Sequence, residues 1–250
     1  MNRDQLALNS SGTGAGNATA PTTAPNRQRA GHRANKDVAA RLRVSASHRT
    51  VHDVADLSDI VAAQHNVVVL RRDVPEQLKL LQESALTGLS PQVIVTCHPG
   101  ESIRSSLEAK LLPHIAEPFI LDVDYWAQVF ADITECTKLG IRIIAIDRAM
   151  CPRFHVDNVV LRGVMTYVGP GTHFLDHRDV DRAALGPPSE NSPPIERKDA
   201  VIQIAQAGDL VLLKGEAWPG NDGHGAVHRS PPMPTGGTRL VVTFDALQFE

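Results

Sequence analysis

From Thr50 onward apolar residues recur at helical spacing, with Val51, Val54, Leu57, Ile60 and Val61 set around Asp53, Asp56 and Asp59, which predicts a short amphipathic helix. Val67-Val68-Val69-Leu70 is an unbroken apolar run of strand length, closed by Arg71-Arg72-Asp73 and Pro75, and reads as a buried strand. Glu76 to Leu86 returns to helical spacing and ends near Gly88. Val93 to Thr96 is too short for its period to separate a strand from part of the next segment. Glu101 to Leu112 carries Ile103, Leu107 and Leu111 on one stripe. A longer helix is expected over Val123 to Leu139, with Trp126, Val129, Phe130 and Ile133 inward, Asp122 as N-cap and Gly140 as its stop.

After Gly140 the period changes from 3.6 to 2. Strands are expected at Ile141 to Ile146, Val159 to Val168, Val201 to Ile204, Leu210 to Leu213 and Arg239 to Phe244. The connection from Asp176 to Lys198 contains Pro187-Pro188 and Pro193-Pro194 and reads as too polar and Pro-rich for a core, hence a lid or partner loop. Helices first and antiparallel strands after them predict an α+β chain, with a helix-supported β-barrel or sandwich in its C-terminal half.

Composition changes this picture mainly at the N-terminus. Residues 1 to 49 hold eight Lys/Arg against Asp4 and Asp37, a surplus of six, so a formal net charge of -3 leaves about -9 on the rest. Small and polar residues dominate there, and they bury too little surface to offset the entropy of ordering. The reading is a disordered basic tail over residues 1–48 and a single domain over 49–250. A solvated tail is preferred to a nucleic-acid tether or a transit peptide. No apolar run approaches the length of a membrane span, and the expected location is the cytoplasm. Cys97, Cys136 and Cys151 lack Cys-x-x-Cys spacing and read as free thiols.

The candidate chemistry lies between Cys151 and Asp245. On an extended strand residues i and i+2 share a face, so His155 and Asp157 present an imidazole and a carboxylate side by side. His228 and Arg239 follow in the order found in 2-His-1-carboxylate iron sites. If Pro231 to Gly237 is a turn, antiparallel pairing sets His228 opposite Arg239 and sends the guanidinium into the same cavity. An inward guanidinium needs an anion, which either a dicarboxylate cosubstrate or a protein acid such as Asp209 would supply. Arg153, Arg162 and Arg229 either orient an anionic substrate or pair with neighbours. Cys97-His98 beside Pro99-Gly100 reads as structural, and Arg71-Arg72 as a solvated strand end. Gly-x-Ser-x-Gly and phosphate-binding glycine motifs after a strand are absent from the sequence.

His155-Val156-Asp157-Asn158, Arg162, Thr166-Tyr167, Gly208-Asp209-Leu210-Val211-Leu212, His228 and Arg239 together resemble the iron- and 2-oxoglutarate-dependent oxygenases, the prolyl-hydroxylase-like members above all. Arg153 to Asp157, Tyr167 to Thr172, Leu213 to Trp218 and Val227 to Pro231 more narrowly resemble the bacterial family known as domain of unknown function 1826, over Thr50 to the C-terminus. The wider resemblance implies a double-stranded β-helix of the cupin-like, jelly-roll kind. It further implies that His155, Asp157 and His228 hold Fe(II), that Arg239 clamps the distal carboxylate of 2-oxoglutarate, and that the substrate is oxidised as 2-oxoglutarate becomes succinate.

Two departures bear on that implication. Many of these oxygenases carry a Ser two residues after the Arg, where this chain has Val241; Thr243 or Tyr167 would have to donate to the cosubstrate instead. His224 stands four residues before His228 and would complete a closed zinc set with His155, Asp157 and His228. The competing reading is therefore a zinc-binding cupin-like protein of metal homeostasis, a role the narrower resemblance implies through genomic context. A non-metal scaffold is the third. The substrate, a small molecule or a protein, is not written in the sequence.

Overall fold

Strand β1 (His48–Val51) lies parallel to β2 (Val67–Leu70), and the unbroken apolar run of β2 has a direct cause: both of its faces are covered. Val68 and Leu70 belong to a core beneath the helices, while Val67 and Val69 belong to a second core between two sheets. The remaining strands are β3 (Gln92–Cys97), β4 (Lys138–Ile146), β5 (Leu161–Val168), β6 (His173–Leu175), β7 (Ile202–Ile204), β8 (Leu210–Lys214), β9 (Val227–Arg229) and β10 (Arg239–Gln248). The computed structural model describes residues 46–79, 92–108, 117–187 and 192–248.

Seven strands form the larger sheet in the order β1-β2-β8-β5-β10-β4-β3, and three form the smaller in the order β7-β6-β9. An isolated bridge between His155 and His228 extends the smaller sheet beyond β9. The architecture is the expected double-stranded β-helix with helices packed on the outer face of the larger sheet. The N-terminal half also supplies β1, β2 and β3 to that sheet, so the division into helices first and strands after is incomplete.

Two short helices, α1 (Glu76–Lys79) and α2 (Arg104–Glu108), fall within expected helical stretches; residues 80–86 and 109–112 of those stretches lie outside the described residues, and 101–103, expected as helix, are not helical. The first expected helix is a 3-10 segment, Val54–Val61, capped by Asp53 and burying Leu57 and Ile60; Val51 belongs to β1. The long helix α3 (Glu117–Thr134) buries Phe119, Val123, Trp126 and Phe130 against the sheet. A Cβ at Gly163 would stand only 3.0 Å from the Phe130 ring, so the glycine lets α3 sit close over β5. Truncating Phe130 to Ala there would cost about 3–5 kcal/mol.

α3 begins before the expected start, which places Asp122 inside the helix rather than at its cap. Its carboxylate instead accepts from Arg72 at 2.9 Å and from the Tyr167 hydroxyl at 2.7 Å. The helix stops at Thr134, Glu135 turns with φ 51°, and Gly140 lies within β4. Residues 1–45 of the expected tail lie outside the described residues; Ser47 is buried and His48 opens β1. The Asp176 to Lys198 connection is less peripheral than its composition suggested, since Val180, Ala184 and Ile195 share a buried cluster with Phe154 and Val227. Residues 188–191 lie outside the described residues. Cys97 and Cys136 are buried free thiols and Cys151 is an exposed one. Among the described residues no helix is long and apolar enough to cross a membrane.

Candidate metal centre

Alternation along three neighbouring strands of the larger sheet builds the floor of a cavity of ≈ 150 Å³ between the sheets. Its inward row on β10 is Arg239, Val241 and Thr243; β4 contributes Ile146, Ile144 and Arg142, and β5 contributes Val164 and Arg162. His155, Asp157 and His228 come from the opposite side. They are the group of His, Cys and carboxylate side chains, among the described residues, whose ligand atoms converge to within 4.8 Å of one another.

The two histidines are set by their backbones. His155 and His228 exchange N–H to carbonyl hydrogen bonds of 3.0 Å in both directions, which brings their ring centroids to 4.5 Å. His155 Nδ1 lies 3.0 Å from the Arg153 carbonyl oxygen, and His228 Nδ1 lies 3.1 Å from that of Ala226. A carbonyl only accepts, so each Nδ1 carries the proton and each Nε2 offers a lone pair to the cavity. Burial, followed by the charge of His228, pushes the His155 imidazole below its ordinary value and favours the neutral, ligating form.

Asp157 is held from the side. Its Oδ2 accepts from Arg162 Nη1 at 2.6 Å, and Arg162 turns its Nε and Nη2 to the two oxygens of Asp245 at 2.6 and 3.0 Å. Burial works against the ionised carboxylate of Asp157, yet His228 and the Arg162 guanidinium outweigh it and hold the group well below the usual carboxylate range. Asp157 Oδ1 stands 3.7 Å from His155 Nε2, and Oδ2 stands 3.3 Å from His228 Nε2. Two bonds of about 2.1 Å to one ion span at most roughly 4.2 Å, so both separations fit a shared metal. The donor set of two imidazoles and one carboxylate is the facial set that suits Fe(II).

Arg239 is 3% exposed, and its Nη2 donates to Thr166 Oγ1 at 3.0 Å and Thr172 Oγ1 at 2.9 Å. Its Nε is buried without a partner, and among the described residues no carboxylate pairs with it. Burial pushes the guanidinium down to about 10. Asp209, the protein acid considered for it, pairs with Arg71 instead.

The structure thus brings His155, Asp157, His228 and Arg239 to one cavity, but by a different route from the expected hairpin. His228 pairs with Phe174 and His155 in the smaller sheet, whereas Arg239 pairs with Ile146 in the larger one, so the two face each other across the barrel. Tyr167 is not at the site. It points to the opposite face of β5, buried against Phe119 and donating to Asp122. The donor on the cavity side is its neighbour Thr166, which the same alternation would have identified. His224 packs edge-on against His177, with ring centroids 5.6 Å apart, and is not one of the converging ligands. Arg153 donates to the carbonyls of Ala184 and Pro193, and Arg229 stands 3.9 Å from Glu196. Arg142 lies in no motif of the sequence, and Thr172 closes the Tyr167 to Thr172 motif without a role assigned to it there.

Two plant enzymes of known structure share this fold. The dioxygenase for auxin oxidation of rice superposes with a TM-score of 0.50 at 14% identity, covering 82% of this chain and 84% of its own. The corresponding Arabidopsis thaliana enzyme, in complex with 2-oxoglutarate, gives 0.51 at 8% identity, covering 82% and 94%. A Pseudomonas putida prolyl-4-hydroxylase gives 0.45 at 14%, covering 79% and 100%. None of the curated proteins matches the chain. The profile of one family spans residues 51–245, from the end of β1 through the metal-ligand candidates to Asp245, and by that match the chain belongs to the family described as Protein of unknown function (DUF1826).

Proposed function

We propose that the protein is an Fe(II)- and 2-oxoglutarate-dependent oxygenase of the hydroxylase type. The observation that carries this reading is Arg239. A guanidinium buried without a carboxylate, in the same cavity as three converging metal ligands, is costly unless an anion enters with the metal. A dicarboxylate that ligates the metal at one end and reaches Arg239 at the other meets both needs. The 2-oxoglutarate complex of the Arabidopsis thaliana relative supports that choice of cosubstrate.

In this reading His155, Asp157 and His228 hold Fe(II), which with 2-oxoglutarate supplies the power to activate O2 and oxidise a C–H bond. The chain's own residues bind and orient. Arg239 clamps the distal carboxylate, and Thr166 and Thr172 fix the guanidinium. Each threonine accepts from Arg239 and so keeps its own hydroxyl hydrogen, which in this reading donates to the carboxylate where a Ser at position 241 otherwise would. The carbonyls of Arg153 and Ala226 set the histidine tautomers, and Arg162 keeps Asp157 ionised and aimed. Ile144, Ile146, Val164 and Val241 give the cavity apolar walls that keep bulk water from the centre.

Anaerobic addition of Fe(II) and 2-oxoglutarate is expected to produce a weak visible charge-transfer band. Arg239→Gln should lower 2-oxoglutarate affinity by 2–5 kcal/mol, about 30-fold or more, while leaving metal uptake unchanged. Folded protein that gives no band would sink the proposal. Zinc bound tightly and not displaced by iron would favour the metal-homeostasis alternative.

A further inference from the structure

Arg239 is not the only guanidinium in the cavity without a carboxylate. Arg142 lies on the inward face of β4, in the row with Ile144 and Ile146, because Leu139, Ile141 and Ile143 take the opposite face against the helices. Among the described residues the Arg142 side chain makes no ion pair or hydrogen bond, and its Nε is buried without a partner. Directly opposite on β10 stands Thr243, whose Oγ1 is also buried and partnerless. The nearest acid on that row, Asp245, is already gripped through both oxygens by Arg162.

A charge account of the proposed centre isolates Arg142. A divalent ion and Arg239 balance a dianionic 2-oxoglutarate and Asp157, and Arg162 balances Asp245. Arg229 has Glu196 within 3.9 Å. The charge left over is that of Arg142, and a partly buried, unpaired guanidinium calls for an anion of its own. Its place is four residues along from Arg239 in register, since it faces Thr243 where Ile146 faces Arg239. At a strand rise of about 3.3 Å per residue the two backbone positions lie roughly 13 Å apart along the strands, toward opposite ends of the inward row.

We infer that Arg142, with the Thr243 hydroxyl beside it, is the specificity-determining anchor for the primary substrate, and that this substrate is a small organic acid whose carboxylate meets Arg142. This inference rests on the oxygenase reading for its second ligand and extends it to the first. The body of the acid is apolar, because Ile144, Ile146, Met150 and Val164 line the same cavity.

The test titrates matched pairs, benzoate against benzamide and butyrate against butyramide, calorimetrically into the full-length protein held anaerobically with Fe(II) and saturating 2-oxoglutarate. Each acid should bind at least about tenfold more tightly than its amide, a difference of about 1.4 kcal/mol. Arg142→Gln should erase the preference, and Arg142→Lys should keep part of it; both should retain the parent's 2-oxoglutarate affinity and thermal unfolding profile. Acids and amides behaving alike, with or without detectable binding, overturn the inference. So does a preference that survives Arg142→Gln, or a loss of 2-oxoglutarate binding in that variant as large as in Arg239→Gln, which would make Arg142 a cosubstrate contact. Inorganic phosphate binding as tightly as the acids would overturn the choice of an organic acid. If the Fe(II)-loaded parent fails to bind 2-oxoglutarate, the oxygenase reading falls by itself. The same acid and amide pairs, titrated without 2-oxoglutarate into the Arg239→Gln protein and into the double variant with Arg142→Gln, then decide the Arg142 assignment.

Discussion

His155 and His228 form a directly opposed antiparallel pair, each donating its backbone N–H to the other's carbonyl at 3.0 Å. Each ring then bonds the carbonyl two residues upstream through Nδ1, so the same local device sets both tautomers. The two ligands are therefore placed by backbone, and the side chains can be removed without removing the pairing.

That separation makes the first prediction specific. His155→Ala should lower affinity for Fe(II), or for Co(II) as a spectroscopic substitute, by more than about 100-fold, beyond what loss of a mere supporting contact causes. Thermal unfolding of the metal-free protein should change little, because His155 is only partly buried and the backbone bridge stays. Undiminished Co(II) binding in this variant would remove His155 from the ligand set.

Arg162 carries more of the structure. It links Asp157 to Asp245, and without it two partly buried carboxylates lose the guanidinium they share. Arg162→Gln should cost about 3–5 kcal/mol in denaturant unfolding and lower metal affinity about 10- to 100-fold. Asp245→Asn keeps the Arg162 to Asp157 contact and should spare metal binding by comparison.

Gly215 is the third point of control. A Cβ there would overlap the Val159 carbonyl oxygen and crowd that of Asp157, both backbone atoms with no easy retreat. Gly215→Ala should cost about 1–3 kcal/mol and shift the Asp157 loop, with metal affinity falling alongside. Stability lost with metal affinity intact would show that the loop relaxes elsewhere.

The site was legible where local rules determine it. His-x-Asp shares a face by strand parity, and the order of His155, Asp157, His228 and Arg239 survives without knowledge of the topology. What the sequence concealed depends on long-range pairing. Nothing local says that β9 joins β6 while β10 lies between β4 and β5, so local rules suggest a hairpin for the His228 to Arg239 relationship, which in fact spans two sheets. Tyr167 was a one-residue parity error: β5 is buried on both faces, so its apolar pattern does not show which residues face the cavity, and Thr166 does. Arg142 interrupts a run that is otherwise apolar from Leu139 to Ile146, and only the absence of a side-chain partner across space singles it out.

A last expectation concerns acid stability, away from the metal ligands. His177 Nδ1 accepts from Arg182 Nη2 at 2.9 Å, and the His224 ring packs edge-on against it. Burial, then the charges of Arg182 and His224, push its imidazole down to about 4, against the opposing pull of Asp176. Above an unfolded value of 6.5 the ring is neutral in both states and contributes no pH dependence. As pH falls from 6.5 toward 4 the unfolded chain takes up a proton that the folded chain refuses, so stability declines; below about 4 the loss is complete. Between pH 7 and pH 5 the decline due to this group is on the order of 2 kcal/mol. His177→Gln keeps an acceptor for Arg182 and cannot be protonated, so its unfolding free energy should fall less over that interval, by about that amount. Asp176 does not confuse the comparison. Burial would raise its carboxyl, but His48 and Ser47 hold it below the ordinary value, so its contribution is lost only at more acid pH, as the folded group is protonated. Denaturant unfolding of both proteins at pH 7 and pH 5 measures the difference, and parallel declines would dismiss His177 as the source.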